Sequence, residues 1–143
     1  MNNLISKNLI VVDIKSNIYE VADTMKRYDV GFVPVSDNNK IVGVLTDRDI
    51  VTKIVANKDE LIESYISKPI SIDLNDSIEN ALTLMSKHKI KRLLVSSNNK
   101  LVGILSISDL LNTDYNYIKA IKEIFEINKN DDTYITKVDE FYL

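Results

Sequence analysis

Two short stretches place a hydroxyl and a carboxylate at the same spacing: Thr46-x-x-Asp49 and Ser106-x-x-Asp109. A glycine stands three residues before each hydroxyl, Gly43 and Gly103. One chemistry open to such a pair is local. As a capping box, the hydroxyl accepts the amide of the acid and the carboxylate reaches back to the hydroxyl residue's own amide. That contributes about 1 kcal/mol to a helix. The other chemistry looks outward. A helix start bearing a hydroxyl attracts phosphate and polar sugar groups. An ionised Asp offers two acceptor oxygens, enough for both hydroxyls of a ribose. The two readings are compatible, and Gly43 and Gly103 permit a close approach by backbone or ligand.

Other reactive groupings are scarce. Without cysteine there is no disulfide, thiolate metal site or cysteine nucleophile. The three glycines, Gly31, Gly43 and Gly103, cannot form a GxGxxG or Walker loop. His88 is the single histidine and sits in a helical pattern, without a Ser-His-Asp arrangement around it. Asp131-Asp132 lacks the spacing of a metal-ligand set. The expectation is a non-enzyme that requires no cofactor and no metal. The chain is 45% hydrophobic and 27% charged, as ordinary globular proteins are. A net charge of -3 argues against a broad nucleic-acid surface, although Lys87, Lys89, Lys91 and Arg92 make a local basic cluster. The first residues lack the apolar core of a signal peptide. No run approaches the roughly 18 apolar residues of a spanning helix. A cytoplasmic location without membrane contact is the expectation.

The elements that must position the two turns are duplicated. Residues 12–50 slide onto 72–110 without a gap, matching Asp13 with Asp73, Met25 with Met85, Asn38-Asn39-Lys40 with Asn98-Asn99-Lys100, and Asp49 with Asp109. Each unit opens on a β-branched run, Leu9–Val12 in the first, which predicts a strand. Ser16 and Asp76 stand where a helix cap belongs, with Glu79 three residues after Asp76. Ile18, Val21, Ala22 and Met25, and then Ile78, Ala81, Leu82 and Met85, repeat at helical spacing. Strands follow over 31–36 and 41–45, joined by a turn at Asp37–Lys40, with copies at 93–96 and 101–105. Pro34 has no amide hydrogen and favours a strand end or sheet edge. Helical patterns resume at Thr46 and Ser106. The fold expected is α+β: two β-α-β-β-α repeats packed sheet to sheet about a pseudo-two-fold axis, because neither repeat has the mass for a comfortable core alone. The division expected is 1–66, 67–127 with a C-terminal helix, and a tail at 128–143.

The ordered set Gly31-Phe32-Val33-Pro34-Val35, Gly43-Val44-Leu45-Thr46-Asp47-Arg48-Asp49 and the second copy ending Ser106-Ile107-Ser108-Asp109 resembles a tandem pair of CBS domains, over roughly residues 5–111. The resemblance implies a regulatory module for adenosine-containing ligands: AMP, ADP, ATP or S-adenosylmethionine. It implies ribose contacts at Asp49 and Asp109, ribose or phosphate contacts at Thr46 and Ser106, and adenine between aliphatic groups such as Ile10 and Ile70. Lys91-Arg92 resembles a phosphate-binding pair, with Arg48 a further candidate. It also implies a homodimer formed through helices. The repeats depart from each other at Gly31-Phe32 against Lys91-Arg92, Pro34 against Leu94, and Asp47-Arg48 against Ile107-Ser108, so their sites are not equivalent. Alternatives are a dimerisation or adaptor protein without a ligand, which the apolar positions of Tyr115–Leu143 support, and a weak RNA- or DNA-binding protein.

Overall fold

The computed structural model describes residues 1–111 and Ile121. The helix expected over 115–127 and the tail from 128 lie otherwise outside the described residues. The first repeat runs β1 (Val12–Asp13), α1 (Ile18–Tyr28), β2 (Phe32–Asp37), β3 (Lys40–Thr46) and α2 (Asp47–Asp49), which continues as a π-helical segment, Ile50–Val55. A 3-10 turn, Glu63–Tyr65, lies in the connector. The second repeat runs β4 (Ser71–Asp73), α3 (Ile78–His88), β5 (Arg92–Ser97), β6 (Lys100–Ser106) and α4 (Ile107–Leu111). The α+β class and the duplicated order are as expected.

Each repeat forms one three-stranded sheet, ordered β1-β2-β3 and β4-β5-β6. The first pair in each is parallel, because a helix carries the chain back across the sheet, and the second pair is an antiparallel hairpin. Asn38-Asn39 and Asn98-Asn99 all have positive φ, between 47° and 64°. That is the turn whose twist matches a two-residue hairpin, and Asn tolerates it.

Several local expectations need correction. The helix caps are Asn17 and Ser77, each one residue later than Ser16 and Asp76. Asn17 Oδ1 accepts the Tyr19 and Glu20 amides while Glu20 Oε2 accepts the Asn17 amide. Asp76 instead turns back to accept the Asp73 amide at 3.2 Å. Ala22 is exposed, since α1 buries only the narrow stripe Ile18, Val21 and Met25. The strand expected at Leu9–Val12 is Val12–Asp13. Pro34 lies in the middle strand of its sheet, opposite Val44, and not at an edge. In the second repeat the Leu94 amide donates to the Ile70 carbonyl at 3.0 Å. Pro34 has no hydrogen to give Ile10 in the same way. The proline is tolerated because the first strand begins only beyond it, at Val12 against Val35.

The described core divides into two clusters, one for each repeat, around Val21, Val33, Val35, Leu45 and Ile54 and around Ala81, Met85, Leu93, Val95 and Leu105. Each repeat therefore does bury its own core, because its helix covers one sheet face. Pro34 and Leu94 belong to neither cluster and are buried on the opposite strand faces.

What ties the halves together is an exchange of arms. Ser6 pairs with Ile104 on the free edge of β6, and Ser67 pairs with Val44 on the free edge of β3. Each arm leads into the first strand of the other sheet. Met1, Leu4 and Ile5 pack on the second core, and Ile62, Tyr65 and Ile66 on the first. Both arms carry Ile-Ser-Lys, at 5–7 and 66–68. Gly43 and Gly103 are explained here. A Cβ at Gly43 would meet Ile66 side-chain atoms at 2.7–2.9 Å, and one at Gly103 would meet Ile5 at 2.6–3.0 Å. Neither has a positive φ, so close approach of the arm is what requires glycine.

Candidate functional site

Both hydroxyl–carboxylate pairs form capping boxes. At the first turn the Asp49 amide donates to Thr46 Oγ1 at 3.1 Å, and the Thr46 amide donates to Asp49 Oδ2 at 3.1 Å. The Thr46 hydroxyl also donates to Asp49 Oδ2, at 2.6 Å. At the second turn the Ser106 amide and hydroxyl donate to Asp109 Oδ2 at 2.8 and 2.6 Å, and the Asp109 amide donates to Ser106 Oγ at 3.3 Å. One oxygen of each carboxylate thus fixes the turn, and the other, Oδ1, is directed elsewhere.

The two Oδ1 atoms differ in surroundings. Lys53 Nζ lies 2.6 Å from Asp49 Oδ1, one helical turn away, with the Asp49 side chain only 15% exposed. Burial pushes the Asp49 carboxyl up, but hydrogen bonds from Lys53 and Thr46 and the Lys53 charge outweigh it and hold the carboxyl below its ordinary value. The position four residues after Asp109 is Thr113, which has no such charge.

Each turn faces a cleft completed by the other repeat. The first cleft, about 420 Å³, holds Thr46, Arg48 and Asp49 from the first repeat and Ile70, Lys91 and Arg92 from the second. The second, about 360 Å³, holds Ser106 and Asp109 with Ile10 and the Val30–Phe32 stretch of the first repeat. Volumes of this order suit small-molecule ligands. The nine ligand-contact candidates of the resemblance therefore all line one of the two clefts. The pairing is crossed: Lys91 joins the first turn and Arg48, not its own repeat's turn. Arg92 lines both clefts, with its guanidinium carbon 5.8 Å from the Phe32 ring centre.

Sequence reasoning missed Lys68 in the first cleft and Ser6, Asn8 and Asp29 in the second, and it had Lys89 only as part of a basic cluster. The arms, whose repeated Ile-Ser-Lys stands out of register with the rest of the duplication, carry Ser6 and Lys68 to the cleft walls. The departures between repeats also find a reason. Asp47 lies over Gly31, its Oδ2 2.7 Å from where a Cβ would stand. In the second repeat Lys91 replaces that glycine, and the residue matching Asp47 is the buried Ile107. A wider cleft of about 890 Å³ lies between the hairpins, lined by residues such as Ser36, Ser96, Lys40 and Lys100, and contains neither turn. Among the described residues no group of three His, Asp or Glu side chains is placed to hold a metal ion. Nor is any described helix long and apolar enough to cross a membrane.

Two paired β-α-β-β-α units with a ligand-sized cleft at each capped turn define a tandem-repeat fold. The CBS domain family model matches residues 2–56 and 62–115, and the chain belongs to the CBS domain family. It is 31% identical over 137 residues to the uncharacterised protein YlbB of Bacillus subtilis, covering 92% of this chain and 93% of that one. A CBS domain protein of Pyrobaculum aerophilum, solved in complex with AMP, is 25% identical with a TM-score of 0.72, over 84% of this chain and 96% of that one. The CBS domain pair of protein MJ0100, solved with 5′-methylthioadenosine and S-adenosyl-L-methionine, is 25% identical with a TM-score of 0.71, over 77% and 94%.

Proposed function

We propose that this chain is a non-catalytic regulatory module that binds adenosine-containing ligands in its two inter-repeat clefts. The observation that carries the reading is the crossed assembly of each cleft. A hydroxyl–carboxylate turn from one repeat faces an aliphatic residue from the other, Ile70 in the first cleft and Ile10 in the second. In this reading Asp49 and Asp109 hold the ribose hydroxyls, with Thr46 and Ser106 beside them. Ile70 and Ile10 pack against adenine, and Arg48, Lys91 and Arg92 receive phosphate. AMP in the Pyrobaculum protein and the 5′-methylthioadenosine and S-adenosyl-L-methionine in the MJ0100 pair support the ligand class.

The chemistry of the turn favours holding over catalysis. Asp49 is kept ionised and already accepts several hydrogen bonds, which suits an acceptor of hydroxyls better than a proton shuttle. A ligand touching both repeats binds one relative arrangement of the halves more tightly than another and so shifts their orientation. The module is read as a cytoplasmic homodimer. Val51 and Val55, 63% and 51% exposed on the outer side of the π-helical segment, supply apolar surface for a partner copy. Light scattering at micromolar protein checks the dimer. Mass spectrometry of small molecules released from purified protein tests the ligand class. An adenosine compound at near-stoichiometric amounts is expected. A non-adenosine metabolite released in that amount would overturn the reading.

A further inference from the structure

The two clefts have opposite charge. The first is lined by five cations, Arg48, Lys68, Lys89, Lys91 and Arg92, against two carboxylates, Asp47 and Asp49, leaving three positive charges in excess. The second has one cation, Arg92, against Asp29 and Asp109, leaving one negative charge in excess. The difference comes from both repeats at once, since Lys89 and Lys91 enter the first cleft while the matching positions, Asp29 and Gly31, enter the second.

We propose that the clefts divide adenosine ligands by charge: the Thr46–Asp49 cleft takes a nucleoside polyphosphate, and the Ser106–Asp109 cleft takes an adenosine ligand without a phosphate chain. This rests on the adenosine reading above and adds the ligand class for each cleft. A polyphosphate placed in the second cleft would face Asp29 and Asp109 with Arg92 as the only side-chain cation among the described lining residues. In the first cleft the same chain meets arginine forks and lysine ammonium groups, which hold phosphate oxygens by charge-assisted hydrogen bonds. Uncharged or cationic 5′ substituents lose nothing in the second cleft, where the balance is negative. Because Arg92 serves both walls, a phosphate chain that draws it to the first cleft makes the second still less hospitable to anions.

The test is calorimetry on the whole chain with ATP and with adenosine as probes. ATP is expected to saturate one site per chain. Adenosine is expected to bind one further site with ATP saturating, and Asp109→Ala is expected to weaken that binding at least tenfold. Lys68→Glu and Arg48→Gln alter exposed side chains and are expected each to weaken ATP at least fivefold, with a smaller loss at higher salt. Two ATP sites of similar affinity overturn the division, as does adenosine excluded by saturating ATP, or ATP affinity within twofold in both charge variants. In those outcomes the adenosine reading still stands. If the folded chain binds neither probe, both the adenosine reading and the division fail.

Discussion

Asp49 and Asp109 sit in equivalent turns with unequal neighbours, and only Asp49 has a lysine one helical turn on. Asp49 is held below the ordinary value of 3.8 by Lys53 and Thr46, against the opposing push of burial. A carboxyl whose folded pKa is depressed adds stability that is present above the unfolded value and is lost as pH falls through the folded one. Thermal melts of the parent and Asp49→Asn from pH 6 down to about 3 should therefore converge as the acid end is approached, with the parent the more stable at pH 6. Curves that stay parallel would contradict the assignment. The capping role is separable. Thr46→Ala and Ser106→Ala each remove a hydroxyl that accepts the amide three residues on, and each should cost about 0.5–2 kcal/mol in denaturant unfolding. The two glycines, by contrast, answer to the arms and not to the ligand.

At the level of elements, the arms are the least expected feature and the most easily tested. Gly43→Ala would bring a Cβ to 2.8 Å from Ile66 Cβ, an atom that no rotamer change can move away. The arm must shift, at a cost of about 1–3 kcal/mol. Val44 and Ser67 exchange amide hydrogen bonds of 3.0 and 2.9 Å, so hydrogen exchange at these two amides should quicken more than at Val35 in the sheet centre. The duplicated strands, helices and hairpins were legible in the sequence because 12–50 and 72–110 align without a gap. The arms were not. Ile5-Ser6-Lys7 and Ile66-Ser67-Lys68 are offset by 61 residues where the rest is offset by 60, with Asn8 as the extra residue. A tripeptide out of register gives no signal until the sheet edges it covers are seen. Pro34 was misplaced for a related reason. The edge rule assumes a full-length neighbour, and β1 is only two residues long.

Across the whole molecule, two cores joined by exchanged arms should unfold together, since opening either sheet edge releases a segment seated on the other half. Leu45→Ala and Leu105→Ala each empty a fully buried position, one in each cluster, and each should cost about 2–5 kcal/mol. Calorimetric scans should show one transition that moves, and not a split into two. The candidate site was legible as residue types but not as pairings. Which turn faces which aliphatic residue, and that Lys91 lines the cleft of the first turn, depends on the crossing of the halves, which no local pattern encodes. The adenosine-binding role is tested most directly by titrating AMP, ATP and S-adenosylmethionine into the parent chain and into the double variant Asp49→Ala/Asp109→Ala, with circular dichroism to show that both are folded. Saturable binding by the parent to at least one of the three, weakened at least tenfold in the double variant, is the expected result. A folded parent that binds none of them, or a double variant that binds as the parent does, would contradict it.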